Sequence, residues 1–218
     1  VKEFKGFAGS PGIVEGKGEL IDRIVNEVSS AAMARELERT QRQSLSSLDT
    51  CTLLVGAVTL MHRLSLHDFD RARSMLVAVG QRAPRHPIPQ ALLAKWHVLR
   101  VWQSWSQDPA ADTRLALEFS KHALDNDSQC SLALAMDGFV HMNLLKALDV
   151  AQQRYDLALQ VNPNDAYARS VLALCLAKSG RTAEGQTEIR RALEIDPTNA
   201  SVLYKAAVIA VIQGNHDS

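Results

Sequence analysis

The side chains able to do chemistry are scattered along this chain. Seven histidines, three cysteines and 24 carboxylates are spread over 218 residues. Catalysis or metal binding would need several of them at short, fixed spacings. His62 and His67 have no third ligand at metal spacing, and there is no HExxH run. Asp125-Asn126-Asp127 begins like a calcium loop, but the loop glycine and closing glutamate are missing. No P-loop, GxGxxG or GxSxG segment occurs. His97 and His141 lie 44 residues apart, each three residues after a small one, Ala94 or Gly138, and this recurrence predicts packing rather than catalysis. Cys51, Cys130 and Cys175 form no CxxC pair, which argues against a disulfide framework and predicts a reducing, cytoplasmic setting. The reading is therefore of a chain with no catalytic residues, no metal and no cofactor.

Binding is the remaining class. Residues 71–107 contain no Asp or Glu but carry Arg71, Arg73, Arg82, Arg85, Lys95 and Arg100, either a solvated basic face or a dock for an acidic partner. The net charge is zero and no aromatic stacking residues interleave with the basic ones on a sheet or loop, so nucleic acid is not expected. The longest charge-free apolar stretch, 50–61, is about half a membrane span, so no membrane contact is expected. Trp102 and Trp105 share one side of a helix with Leu99 and form a candidate edge hot spot, unless the segment after Asp108-Pro109 folds back over them.

The elements that would position such residues follow from composition and spacing. Aromatics are 5% of the chain, while Ala and Leu are abundant, which favours helices. Residues 1–18 hold five of the eleven glycines and read as a flexible arm or linker. Residues 19–48 read as an amphipathic capping helix with Ile21, Ile24, Val25 and Val28 on one side, closed by a serine-rich break. From residue 49 an internal repeat begins. Small residues recur at Gly56, Ala94, Gly138, Ala173 and Ala207, and in a second column at Ala72, Ala116, Ala151 and Gly185. Each step from the second column to the next member of the first is 22 residues; the steps the other way are 16, 22, 13 and 12. One connection is fixed by packing, and the other absorbs insertions, as in stacked helical hairpins. Pro84, Pro163 and Pro197, with Ser128 in the fourth place, end the units. The longest insertion predicts an irregular excursion over 103–113.

The segment Ala-Leu-Glu-Ile-Asp-Pro-Thr-Asn at 192–199, with Gly180 and Gly185 before it, resembles the end of a tetratricopeptide repeat, whose period is about 34 residues. The resemblance covers 49–218, in units of about 49–84, 85–130, 131–165 and 166–199 and a half unit at 200–218. It implies an all-α, right-handed solenoid of antiparallel helical hairpins. The capping helix and the diverged early units are also similar to repeat regions at the C-terminal side of bacterial multidomain regulators, of nucleotide-cyclase or winged-helix type. That implies a regulatory fragment of a larger bacterial protein.

In the repeat family the first helix of each hairpin lines a concave groove. The resemblance places Leu53, Ala57, Met61, Lys95, Val98, Phe139, Met142, Asn143, Ser170, Leu174 and Lys178 on it. Members that bind chaperone tails carry a lysine–asparagine clamp; here Ser170 and Leu174, or Ala135 and Phe139, stand at those places, so that clamp is absent. The expected partner is a protein or peptide, such as an amphipathic helix, and the expected role is a non-catalytic interaction scaffold. The alternative is self-association, or intramolecular regulation in which the capping helix or a second copy fills the groove; an enzyme fragment is the third reading.

Overall fold

The computed structural model describes residues 44–214. The glycine-rich arm and the amphipathic segment 19–43 lie outside the described residues. Within them there are nine α-helices and no strand: α1 (Thr50–Met61), α2 (Leu66–Arg82), α3 (Pro87–Trp102), α4 (Pro109–Asn126), α5 (Ser131–Val140), α6 (Leu148–Val161), α7 (Ala166–Lys178), α8 (Thr182–Ile195) and α9 (Ala200–Gly214). A π-helical turn, His141–Leu145, continues α5. The helices pair in order, α1 with α2 through α7 with α8, and α9 packs on the last pair. The all-helical solenoid expected from the spacing is the observed architecture.

Local chemistry sets the helix ends. Asp49, Ser65, Asp108 and Asp165 each accept a hydrogen bond from a first-turn amide, satisfying a donor the helix itself cannot. Pro87 and Pro109 open α3 and α4, where a missing N–H costs nothing. α7 ends at Gly180, φ 81°, with Arg181 N donating to the Leu176 carbonyl at 2.9 Å and Gly180 N to that of Ala177 at 3.1 Å. A left-handed residue is required there, and glycine adopts it without a Cβ clash. Just before α1, the Arg82 guanidinium donates to the carbonyls of Leu48 (2.5 Å) and Leu45 (2.7 Å), pinning the serine-rich stretch to the end of α2.

The small-residue columns mark where helices of a hairpin cross. A Cβ on Gly185 would sit 2.7 Å from the Ala173 carbonyl oxygen, and one on Gly138 would sit 2.7 Å from the Tyr155 ring. The other column residues Ala72, Ala94, Ala116 and Ala151 are fully buried, as is Ala173 opposite Gly185. The second unit absorbs its extra residues mainly by lengthening: α3 and α4 have 16 and 18 residues, against 13 and 14 in α7 and α8. The irregular stretch is therefore 103–108, shorter than the 103–113 the spacing predicts, because Pro109 already starts α4.

Two glycines separate packing from propensity. Alanine is the better helix former by about 1 kcal/mol. Gly80 lies in α2 with its nearest neighbour 3.7 Å from a built Cβ, so Gly80→Ala should raise the urea midpoint. Gly185→Ala should lower stability by about 1–3 kcal/mol, because the Ala173 carbonyl cannot step aside. Equal shifts of the two variants in urea denaturation would contradict this account of the columns.

Candidate functional site

The first helices of successive hairpins, α1, α3, α5 and α7, share one side of the solenoid. Between them runs an open groove of about 420 Å3 lined by Leu54, Val55, Val58 and Thr59 of α1, Ile88, Leu92 and Lys95 of α3, Leu132 and Met136 of α5, and Tyr167 of α7. Its walls are almost wholly apolar. Val58 is 38% exposed, whereas Leu92 and Met136 form a buried floor.

This surface is rotated from the one the repeat resemblance implied. Leu53, Ala57, Met61, Val98 and Ser170 are fully buried, as are, within a few per cent, Phe139, Met142, Asn143 and Leu174. Most of them pack inside the solenoid, while Val98 and Asn143 also reach a second cleft of about 420 Å3, beside Trp102. Asn143 spends its amide on the Phe139 carbonyl (2.8 Å) and Ser170 its hydroxyl on that of Tyr167 (2.7 Å). Lys178 is exposed, away from the groove lining. Of the expected set, Lys95 alone lines the groove. The pattern could not locate the face because these helices are apolar on nearly every side: every residue from Ala91 to Leu99 is buried.

Lys95 meets groups from distant parts of the chain. Its ammonium lies 5.0 Å from the Tyr167 ring centroid and 3.3 Å from His62 Nε2, just beyond α1. Lys205 of α9 approaches the same ring, at 4.7 Å. Burial lowers Lys95 to about 8. Burial and then the Lys95 charge lower Lys205 to about 7. His62 falls to about 4 through desolvation and then the two ammonium groups, and burial raises the Tyr167 phenol well above its usual range. Sequence reasoning found Lys95 but not Tyr167, Lys205 or His62 as its neighbours. The one available signal was that Lys205 interrupts the apolar run 200–212.

The remaining candidates are structural. His97 Nδ1 donates to Asp112 Oδ1 at 2.6 Å, Ser106 donates to the other oxygen, and the His97 ring stacks on Phe119. Desolvation holds His97 neutral, below its usual pKa, and these hydrogen bonds keep Asp112 ionised despite burial. Ser106 bonds the carboxylate and not the imidazole, so no nucleophile–base pair forms. Asp137 is a second buried carboxylate, held by Ser120 (2.7 Å) and Arg154 (2.8 Å). Trp105 folds back edge-on to Phe69 at 5.0 Å, leaving Trp102, 53% exposed, as the outward member of the expected pair. The basic segment is largely engaged internally: Arg73 and Arg100 lie over Trp96 at 5.6 and 5.3 Å, and Arg82 holds backbone carbonyls. No group of three or more His, Cys, Asp or Glu is placed to hold a metal ion among the described residues. No helix among them is long and apolar enough to cross a membrane.

This geometry defines a class: a helical-hairpin solenoid of the tetratricopeptide kind. The tetratricopeptide repeat family model matches residues 145–209. A thermophilic tetratricopeptide protein of Thermus thermophilus has the same fold, with a TM-score of 0.67 at 22% identity over 84% of this chain and 95% of that one. The pilF protein of Pseudomonas aeruginosa is similar at a TM-score of 0.54 and 18% identity, over 76% of this chain and 69% of that one. In sequence, the chain is 29% identical over 104 residues to the mouse interferon-induced protein with tetratricopeptide repeats 3, which is 48% of this chain and 26% of that protein. The match thus spans about a quarter of the mouse protein's length.

The lysine pair makes stability depend on pH. Both folded-state values lie below the ordinary 10.5, so between about pH 8 and 10.5 the unfolded chain binds more protons than the folded one. Stability should rise across that window, on the order of 1 kcal/mol per pH unit per lysine. In Lys205→Met the slope, read from urea denaturation at several pH values, should be clearly shallower. An unchanged slope would contradict the burial of these charges.

Proposed function

We propose that this chain is a non-catalytic protein-interaction scaffold whose groove takes a peptide or an amphipathic helix of a partner protein. The observation that carries the reading is the apolar strip of Leu54, Val58, Ile88, Leu92, Leu132 and Met136, contributed by three successive hairpins and left open by the described residues. Strips of this kind on soluble chains mark binding sites, and a helix laid along one contributes anchors at i, i+3, i+4 and i+7. Met136 on the floor adds an adaptable contact. The three free thiols, one of them buried, suit a reducing compartment, and on that ground we place the scaffold in the cytoplasm.

A displayed library of 16-residue peptides, selected on the purified chain, tests this. Selected peptides should carry apolar residues at helical spacing. Their affinity should fall roughly tenfold or more in the double variant Val58→Asp, Leu132→Asp, with helicity retained by circular dichroism. Peptides without that pattern, or ones that bind the variant as before, would place the interface elsewhere, with the exposed Trp102 edge the next surface to probe.

A further inference from the structure

Four side chains from four parts of the chain meet at one end of the groove, and their charges do not balance. Lys95 and Lys205 hold their ammonium groups 5.0 and 4.7 Å from the Tyr167 ring centroid. The two lysines are 8% and 5% exposed. Lys95 Nζ contacts His62 Nε2 at 3.3 Å; Lys205 Nζ donates to the Ser201 carbonyl at 3.1 Å and its hydroxyl at 2.6 Å. None of these partners is an anion. Neither lysine pairs with a carboxylate among the described residues. Asp165, the acid that bears on Tyr167, already accepts from Ala168 N and Ser131 Oγ. Attraction to the ring offsets only part of the cost of burying two like charges together.

We propose that Lys95 and Lys205 form an anion subsite at the end of the groove for the phosphoryl group of a phosphorylated peptide side chain. The proposal rests on the groove being a peptide site. Charge count selects the ligand. One carboxylate would balance a single lysine and leave the other without a counter-ion, buried only at the cost of its proton. A phosphoryl group carries nearly two charges at pH 7 and three acceptor oxygens, enough for both ammonium groups. The Tyr167 ring, with Leu132 and Met136 in the same groove lining, offers apolar contact for the body of the phosphorylated residue.

Proton linkage gives the subsite a signature. Without an anion, Lys205 titrates near 7 and Lys95 near 8, while His62 stays neutral. A bound phosphoryl group favours the charged lysines and raises both values, so at pH 8 its binding must take up protons.

Phenyl phosphate, phenylacetate and inorganic phosphate are the probes, titrated into the chain by calorimetry at pH 8 in two buffers of different ionisation enthalpy. Phenyl phosphate should bind about tenfold or more tightly than phenylacetate, with net proton uptake. Lys95→Met and Lys205→Met should each weaken phenyl phosphate about tenfold, with helicity intact. Equal affinity for the two phenyl compounds, absent proton uptake, or methionine variants that bind as before would overturn the subsite. Inorganic phosphate binding as tightly as phenyl phosphate would overturn the assignment to a peptide side chain. Failure of the groove reading looks different: library peptides would bind independently of Val58 and Leu132, while phenyl phosphate would still depend on the two lysines.

Discussion

Two helices can cross closely only where the side chains between them are small, and this chain places glycine or alanine where its hairpins pack. At Gly185 the opposing Ala173 carbonyl leaves no room for even a methyl group, and at Gly138 the Tyr155 ring fills the space. Elsewhere alanine does the same service, fully buried at Ala72, Ala94, Ala116 and Ala151. Close crossings fix the geometry of each hairpin, and repetition of one geometry makes the stack of first helices coherent. The groove is a consequence of that coherence, because its lining comes from α1, α3, α5 and α7 at corresponding heights.

Two buried carboxylates brace the middle of the stack. Asp112 joins α3 to α4 through His97 and the preceding loop through Ser106; Asp137 joins α5 to α4 through Ser120 and to α6 through Arg154. Asp112 accepts hydrogen bonds on both oxygens, whereas Asp137 accepts from Ser120 on one and is held on the other by the Arg154 charge; paired in this way, a buried carboxylate specifies structure. The His97 imidazole, which in isolation resembles catalytic equipment, is consumed by this brace. The lysines at Tyr167 are the opposite case: buried cations whose structural partners are a ring, an imidazole and neutral oxygens.

The repeat was legible because it is a one-dimensional signal. Constant 22-residue steps between small residues, and turns such as Asp196-Pro197-Thr198-Asn199, report hairpin length directly. The face of each first helix was not legible. With Ala91 to Leu99 all buried, the helix carries no polar stripe to mark the outside, and a set such as Leu53, Ala57 and Met61 reads the same whether it faces a groove or a neighbouring helix. The cluster around Lys95 was hidden for a different reason. Its members stand at positions 62, 95, 167 and 205, and only the stacking of distant helices brings them together, which no local spacing records.

Direct titration of the lysines by carbon-13 NMR, with the Cε resonances of Lys95 and Lys205 assigned through their methionine variants, tests that convergence. Buried together against Tyr167, they should show midpoints near 8 for Lys95 and near 7 for Lys205. Two lysines titrating near the ordinary 10.5 would mean that they remain solvated and apart, contradicting the convergence.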